Sequence, residues 1–161
     1  MKKTIILCLI ALQGCNHVVP LKGNYQDIAA SAVISKPPSA VWETVLDIIA
    51  ERGYPVKFID KESGILISDN ISLNDHSSFE TRTGTLYKPD AYIAAERFSN
   101  EYPTEARKYK MGATWTVRLK KLTDSTTLAK ARLDQVTIDA YELNGKSTGK
   151  FEKWLLDELA R

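Results

Sequence analysis

The chain has 161 residues, of which 43% are hydrophobic and 26% charged, an ordinary globular composition that suits one domain with its own core. Its formal charge of +2 is carried by Lys2 and Lys3; without them 20 basic residues stand against 20 acidic ones. Nucleic-acid binding needs a basic excess or stripe, and the balance supplies none, so nucleic acid is not expected as a partner.

The first fifteen residues are a unit of their own. Lys2 and Lys3 form a basic start, Thr4 to Leu12 a short apolar run, and Gln13-Gly14-Cys15 the close. About nine apolar residues rise only ~14 Å as a helix, against a hydrocarbon core of ~30 Å, so this stretch does not span a membrane. Its layout is that of a secretory signal. Leu12-Gln13-Gly14-Cys15 resembles a bacterial lipobox, with Gln13 where a small or apolar residue is commoner. The resemblance implies cleavage before Cys15, a diacylglyceryl group on its sulfur and acylation of the new amine. In the enterobacterial sorting pattern an aspartate after the cysteine retains lipoproteins at the inner membrane. Asn16 therefore implies a lipid anchor in the outer membrane, with the protein facing the periplasm.

Cysteine chemistry follows from that reading. Cys8 leaves with the signal and Cys15 becomes a thioether, so no thiol remains for a disulfide, a zinc site or a nucleophile. Removing residues 1–14 leaves 147. Within them 15–26 reads as the lipidated cysteine and a tether, because Pro20, Gly23 and Asn24 interrupt any period. His17, in this tether, is expected to be solvated. Residues 27–161 form a single domain.

Its elements follow in order. Ser31 to Ser35 centres a first strand, and Pro37-Pro38 opens a helix, since proline suits the first turn. Val41, Trp42, Val45, Leu46, Ile48 and Ile49 give that helix an apolar face. Glu43 and Arg52 suit its dipole, and Gly53 suits a left-handed cap. Tyr54–Asp60 and Ile65–Leu73 read as a hairpin around Lys61-Glu62-Ser63-Gly64. On the second of these strands Ile65, Ile67, Ile71 and Leu73 share one parity, with Asp69 marking a twist, a bulge or an exposed end. Residues 74–108 are the least legible; a short helix over Ala91–Phe98 is favoured over a short strand at Gly84–Tyr87. This segment is also the best candidate for a variable, partner-facing surface.

Tyr109–Leu122 alternates cleanly, with Tyr109, Met111, Ala113, Trp115, Val117 and Leu119 on one face. The return strand, Thr126–Asp139, places Ala129, Ala131 and Leu133 inward and then changes parity, which predicts a β-bulge near Asp134 or Gln135. After a polar loop over Tyr141–Lys146, Ser147 or Thr148 is expected to cap a last helix with Phe151, Leu155 and Leu159 on its stripe.

This order predicts a two-layer α+β domain, an antiparallel sheet with a long N-terminal helix and a C-terminal helix on one face. Residues 37–43, 51–56 and 61–68, with the ending Ser147-Thr-Gly-Lys-Phe-Glu152, resemble the helix-grip domains of small Gram-negative lipoproteins, such as those of the C subunit of the outer-membrane β-barrel assembly complex.

Chemistry-bearing residues are few. Asp75, His76 and Glu80 are a candidate metal or acid–base group, yet the only other histidine is His17, so no His-rich metal set can be built. A serine triad would have to use His76. Gly145-Lys146-Ser147-Thr148-Gly149 lacks the upstream glycine and strand of a phosphate loop. Trp42, Trp115 and Trp154 are candidates to line a ligand pocket, although inward aromatics more often form core. Arg97, Arg107, Lys108 and Lys110 are candidates to meet anionic headgroups or glycan carboxylates, with Glu96, Glu101 and Glu105 offsetting them in sequence. No catalytic residue, metal or cofactor is assigned. The expectation is a non-enzymatic, lipid-anchored envelope protein that acts by binding a protein partner within an envelope assembly. The alternative is a carrier or sensor holding an apolar ligand in a helix-grip cavity.

Overall fold

The computed structural model describes residues 17–25, 29–101, 108–140 and 142–161. The expected signal, Cys15, Asn16, Glu105 and Arg107 lie outside them. The elements are β1 (Val18–Val19), β2 (Ala30–Ile34), α1 (Pro38–Arg52), β3 (Val56–Asp60), β4 (Ile65–Ser68), β5 (Ile71–Ser72), β6 (Ser77–Phe79), β7 (Ile93–Ala95), β8 (Arg97–Phe98), β9 (Met111–Lys121), β10 (Thr127–Ile138), β11 (Gly145–Ser147) and α2 (Lys150–Ala160). A 3-10 turn, Asn74–His76, precedes β6.

The main sheet has the order β2-β10-β9-β4-β3, with β5 also on β9, and all its pairings are antiparallel. Both helices contact its strands and each other, which makes the α+β, helix-grip-like two-layer domain expected. The inner face of β9 is Met111, Ala113, Trp115, Val117 and Leu119, all buried, as the alternation required. Each large side chain of this layer contributes about 1.5–3 kcal/mol by leaving water.

Helix α1 starts with Pro37 as N-cap and Pro38 in its first turn, where the missing N–H costs no bond. It ends at Gly53, whose left-handed φ of 63° allows its N–H to reach the carbonyl of Ile49. Val41, Trp42, Val45 and Ile48 are its buried side chains. Leu46 is 38% exposed and lies off the stripe, and Glu43 sits beyond the first turn, so neither plays the role expected.

Two strand readings need correction. On β4 the fully buried residues are Leu66 and Ser68, whereas Ile65 and Ile67 are only half-buried. The strand breaks at Asp69–Asn70, and Ile71 and Leu73 then turn inward. The break falls where Asp69 marks it, but it switches the parity, so Ile65 and Ile67 do not share the inward face with Ile71 and Leu73. Ser68 joins the core because its Oγ accepts the Trp115 N–H at 2.8 Å, replacing a strand carbonyl. On β10 the predicted bulge is present: the register slips between Asp134 and Thr137, and Gln135 takes a φ of 46°.

The middle segment differs most from expectation. Ala91–Phe98 is not a helix. Its Ile93, Ala94 and Ala95 are strand β7, buried on both faces, parallel to β6 and antiparallel to β11. A strand covered on both faces reads as a continuous apolar run, and Ala-Glu-Arg composition then suggests helix. The Gly84–Tyr87 alternative is nearer: Glu80 bridges Leu86, and the Tyr87 N–H reaches the Phe79 carbonyl at 3.1 Å. The expected polar loop at 141–146 contributes β11 and a buried Leu143. Phe79, Ala95 and Met111 form a satellite cluster joining this small sheet to the start of β9.

Helix α2 has Gly149 rather than Ser147 or Thr148 at its cap position. The two hydroxyls still accept the N–H groups of Gly149 and Lys150. Glu152 is 2% exposed, and its carboxylate accepts from the Ser147 hydroxyl at 2.9 Å and from the Leu133 N–H at 2.9 Å. Strand β2 pairs β10 only as far as Ala131, so Glu152 satisfies a donor beyond the end of that partner.

Candidate functional site

The expected trio Asp75, His76 and Glu80 is dispersed. Asp75 and His76 are exposed. The His76 ring stacks on Tyr92 at 4.4 Å, Tyr92 stacks on Trp154 at 6.4 Å, and the Arg52 guanidinium lies 4.9 Å from the Trp154 ring. This stack seals the junction of α1, α2 and the small sheet. Burial raises the Tyr92 hydroxyl above the usual tyrosine value, opposed by the positive charge of Arg52.

Glu80 is 7% exposed and serves another purpose. One carboxylate oxygen accepts the Lys22 N–H at 2.7 Å and the other the Gly23 N–H at 2.8 Å. The Tyr25 hydroxyl also bonds it, and that phenol is pushed far above its ordinary value, by burial first and then by the bond and charge of Glu80. A methyl group on Gly23 would stand 2.7 Å from the Tyr25 ring and 2.8 Å from Glu80, so the clasp needs glycine there. The Lys22 ammonium donates to the Arg82 carbonyl at 2.6 Å. Upstream, Val18 and Val19 pair with Phe98 and Arg97, and the Ser99 N–H reaches the His17 carbonyl at 2.9 Å. Residues 17–23, read as a tether, are thus a strap on the domain; His17 itself is exposed, as expected.

The cation cluster is only partly described. Arg97 is half-buried and donates to the carbonyls of Phe98 and Glu101 at 3.2 Å. Glu101 in turn accepts from the Phe98 N–H and from the Tyr109 hydroxyl, which makes 98–101 a braced turn. Glu96 bonds the backbone and side chain of Asn144. Lys110 is exposed at the start of β9, and Lys108 is also exposed.

The three tryptophans do not share a pocket. Trp115 is fully buried, packed against Tyr54 at 6.1 Å and Phe151 at 6.0 Å. Trp154 belongs to the stack above. Trp42 borders an open cleft of about 220 Å³ between the start of α1 and the β3–β4 turn, lined also by Pro38, Leu119 and Lys121. Gly64 allows that turn to reach β9: its φ is 68°, its carbonyl accepts the Leu119 N–H at 2.8 Å, and a Cβ would collide with the Leu119 carbonyl. In the same turn Asp60 is held below the usual carboxylate range by the side chain and N–H of Ser63.

A further surface was not signalled by periodicity. Among the described residues strand β3 is an edge with no second partner, and Val56 is 41%, Phe58 48% and Ile59 49% exposed. Phe58 stands on the outer face of the sheet, beside Ile67, Thr114 and Thr116. Among the described residues no group of three or more His, Cys, Asp or Glu side chains could hold a metal ion, and no helix is long and apolar enough to cross a membrane.

No known protein family matches the chain, and no curated protein does. Among solved structures it is similar to the Zhui aromatase/cyclase from Streptomyces sp. R1128, at 15% identity over 84% of each chain and a TM-score of 0.30. It is also similar to a Chromobacterium violaceum protein, at 16% identity over 83% of this chain and 93% of that one, with a TM-score of 0.30. Overlap at that level carries no functional argument, so the fold assignment rests on the topology itself.

Proposed function

We propose that this is a lipid-anchored envelope protein that acts by binding, as an accessory or structural component of an envelope assembly. The anchor reading rests on Leu12-Gln13-Gly14-Cys15. The binding reading rests on one observation, the exposed Val56, Phe58 and Ile59 along the unpaired β3 edge. Such an edge offers both strand hydrogen bonds and apolar side chains to a partner. Glu80 is committed to the strap and His76 to the Tyr92 stack, which accounts for both without catalysis. Capture from solubilised envelope with the native protein and with Phe58→Asp tests the binding reading. A defined protein held by the first and lost by the second, with unchanged near-ultraviolet circular dichroism, is the expected result; equal capture by both counts against it. Intact-mass measurement tests the anchor: the mature chain should begin at an acylated Cys15, and Cys15→Ser should abolish acylation and membrane fractionation.

A second reading is favoured by the cleft beside Trp42. Its 220 Å³ suits an acyl end or a ring rather than a whole lipid, as in a carrier or sensor of an apolar ligand. Lipid released from the purified protein in native mass spectra, and lost in Trp42→Ala, would establish it; a solvent-filled cleft in both would exclude it.

A further inference from the structure

The strap turns the expected tether into a short leash, and this has a geometric consequence that rests on the anchor reading above. His17 is bonded to Ser99, and only Asn16 separates it from Cys15, a two-residue step of at most about 7 Å. A lipid on Cys15 would therefore have to enter the bilayer beside the Ser99–Asn100 corner. That corner is firm: Arg97 and Glu101 brace it on both sides, and Glu80 holds the downstream half of the strap. We propose that the domain does not float on its anchor but sits with the β1–β8 ribbon against the phospholipid headgroups of its own membrane.

The main sheet then fixes what points away. The small sheet joins the Met111 end of β9, through Phe79 and Ala95. Ten residues later β9 ends at Lys121, about 33 Å further on. The cleft at Trp42, Leu119 and Lys121 lies at that distal end. In that orientation it stands away from the anchoring bilayer, so an occupant would arrive from the aqueous side and not from the adjacent leaflet.

The test uses the full acylated protein in phosphatidylethanolamine–phosphatidylglycerol vesicles carrying a headgroup nitroxide. A fluorophore is placed at Asn100→Cys or, in the β9–β10 turn, at Ser125→Cys; both positions are exposed, and acylation leaves no competing thiol. Severalfold stronger quenching at 100 than at 125 is expected. Glu80→Ala should shrink that difference while acylation and near-ultraviolet circular dichroism are kept. Equal quenching at both positions in acylated protein overturns the orientation. A difference that survives Glu80→Ala overturns the clasp as its cause. An unacylated Cys15 in the intact mass removes the anchor reading, and its failure is thereby told apart from failure of the orientation alone.

Discussion

The main sheet and the small sheet are held together by different physics. The main sheet is mostly apolar in its inner layer, and each contact is backed by others: Trp115 alone touches Tyr54 and Phe151, beneath both helices. The small sheet and its strap depend on single buried carboxylates that catch donors far away in sequence, Glu80 at residues 22 and 23 and Glu152 at residue 133. Apolar packing is distributed and tolerant of small shifts. A carboxylate clasp is concentrated, so one substitution can release a whole segment while leaving the core in place.

That contrast can be broken at its strong end first. Trp115→Ala should cost about 3–5 kcal/mol, by lost transfer and a cavity the surroundings cannot fill, and should lower the urea midpoint of the whole domain in one transition. Glu152→Ala comes next. It strands the Leu133 N–H and the Ser147 hydroxyl, for about 1–3 kcal/mol per buried group, and Glu152→Gln should recover part of that loss in the same urea titration.

Glu80→Ala sharpens the comparison from the other side. Its global cost should stay near 1 kcal/mol, because strap opening exposes little core. Hydrogen exchange at Lys22 and Gly23 should rise sharply, with amides of β9 and β10 unchanged. If β9 and β10 lose protection equally, the strap is part of the core and the two regions are one cooperative unit.

The smallest effect concerns Tyr25. Its folded-state value is raised, so the folded state holds the phenolic proton more tightly than the unfolded one. The stabilisation is whole below about pH 10, the unfolded value, and is lost as pH rises through the higher folded value. Alkaline release of residues 17–23, followed by hydrogen exchange, should flatten in Tyr25→Phe. An unchanged alkaline profile would mean that Tyr25 does not report on the clasp. Tyr54 and Tyr92 are also raised by burial, so the comparison is made between variants and not from one profile.

Periodicity alone set α1, the β9–β10 hairpin, its bulge at Gln135 and the apolar stripe of α2. Along most of their length these have one covered face and one wetter face, and that difference is written every second or every third to fourth residue, although Met111–Trp115 of β9 are buried on both faces. The same logic could not find β7, which is wet on neither face, nor the inward turn of Ser68, whose burial depends on an N–H from β9. It could not separate Glu80 and Glu152 from the other acidic residues, because a carboxylate is recognised as a clasp only by the backbone donors that folding brings to it. The tether became a strap for the same reason. Composition gave residues 17–23 no periodic preference, and pairing with β8 and Glu80, some sixty to eighty positions away, decided their place.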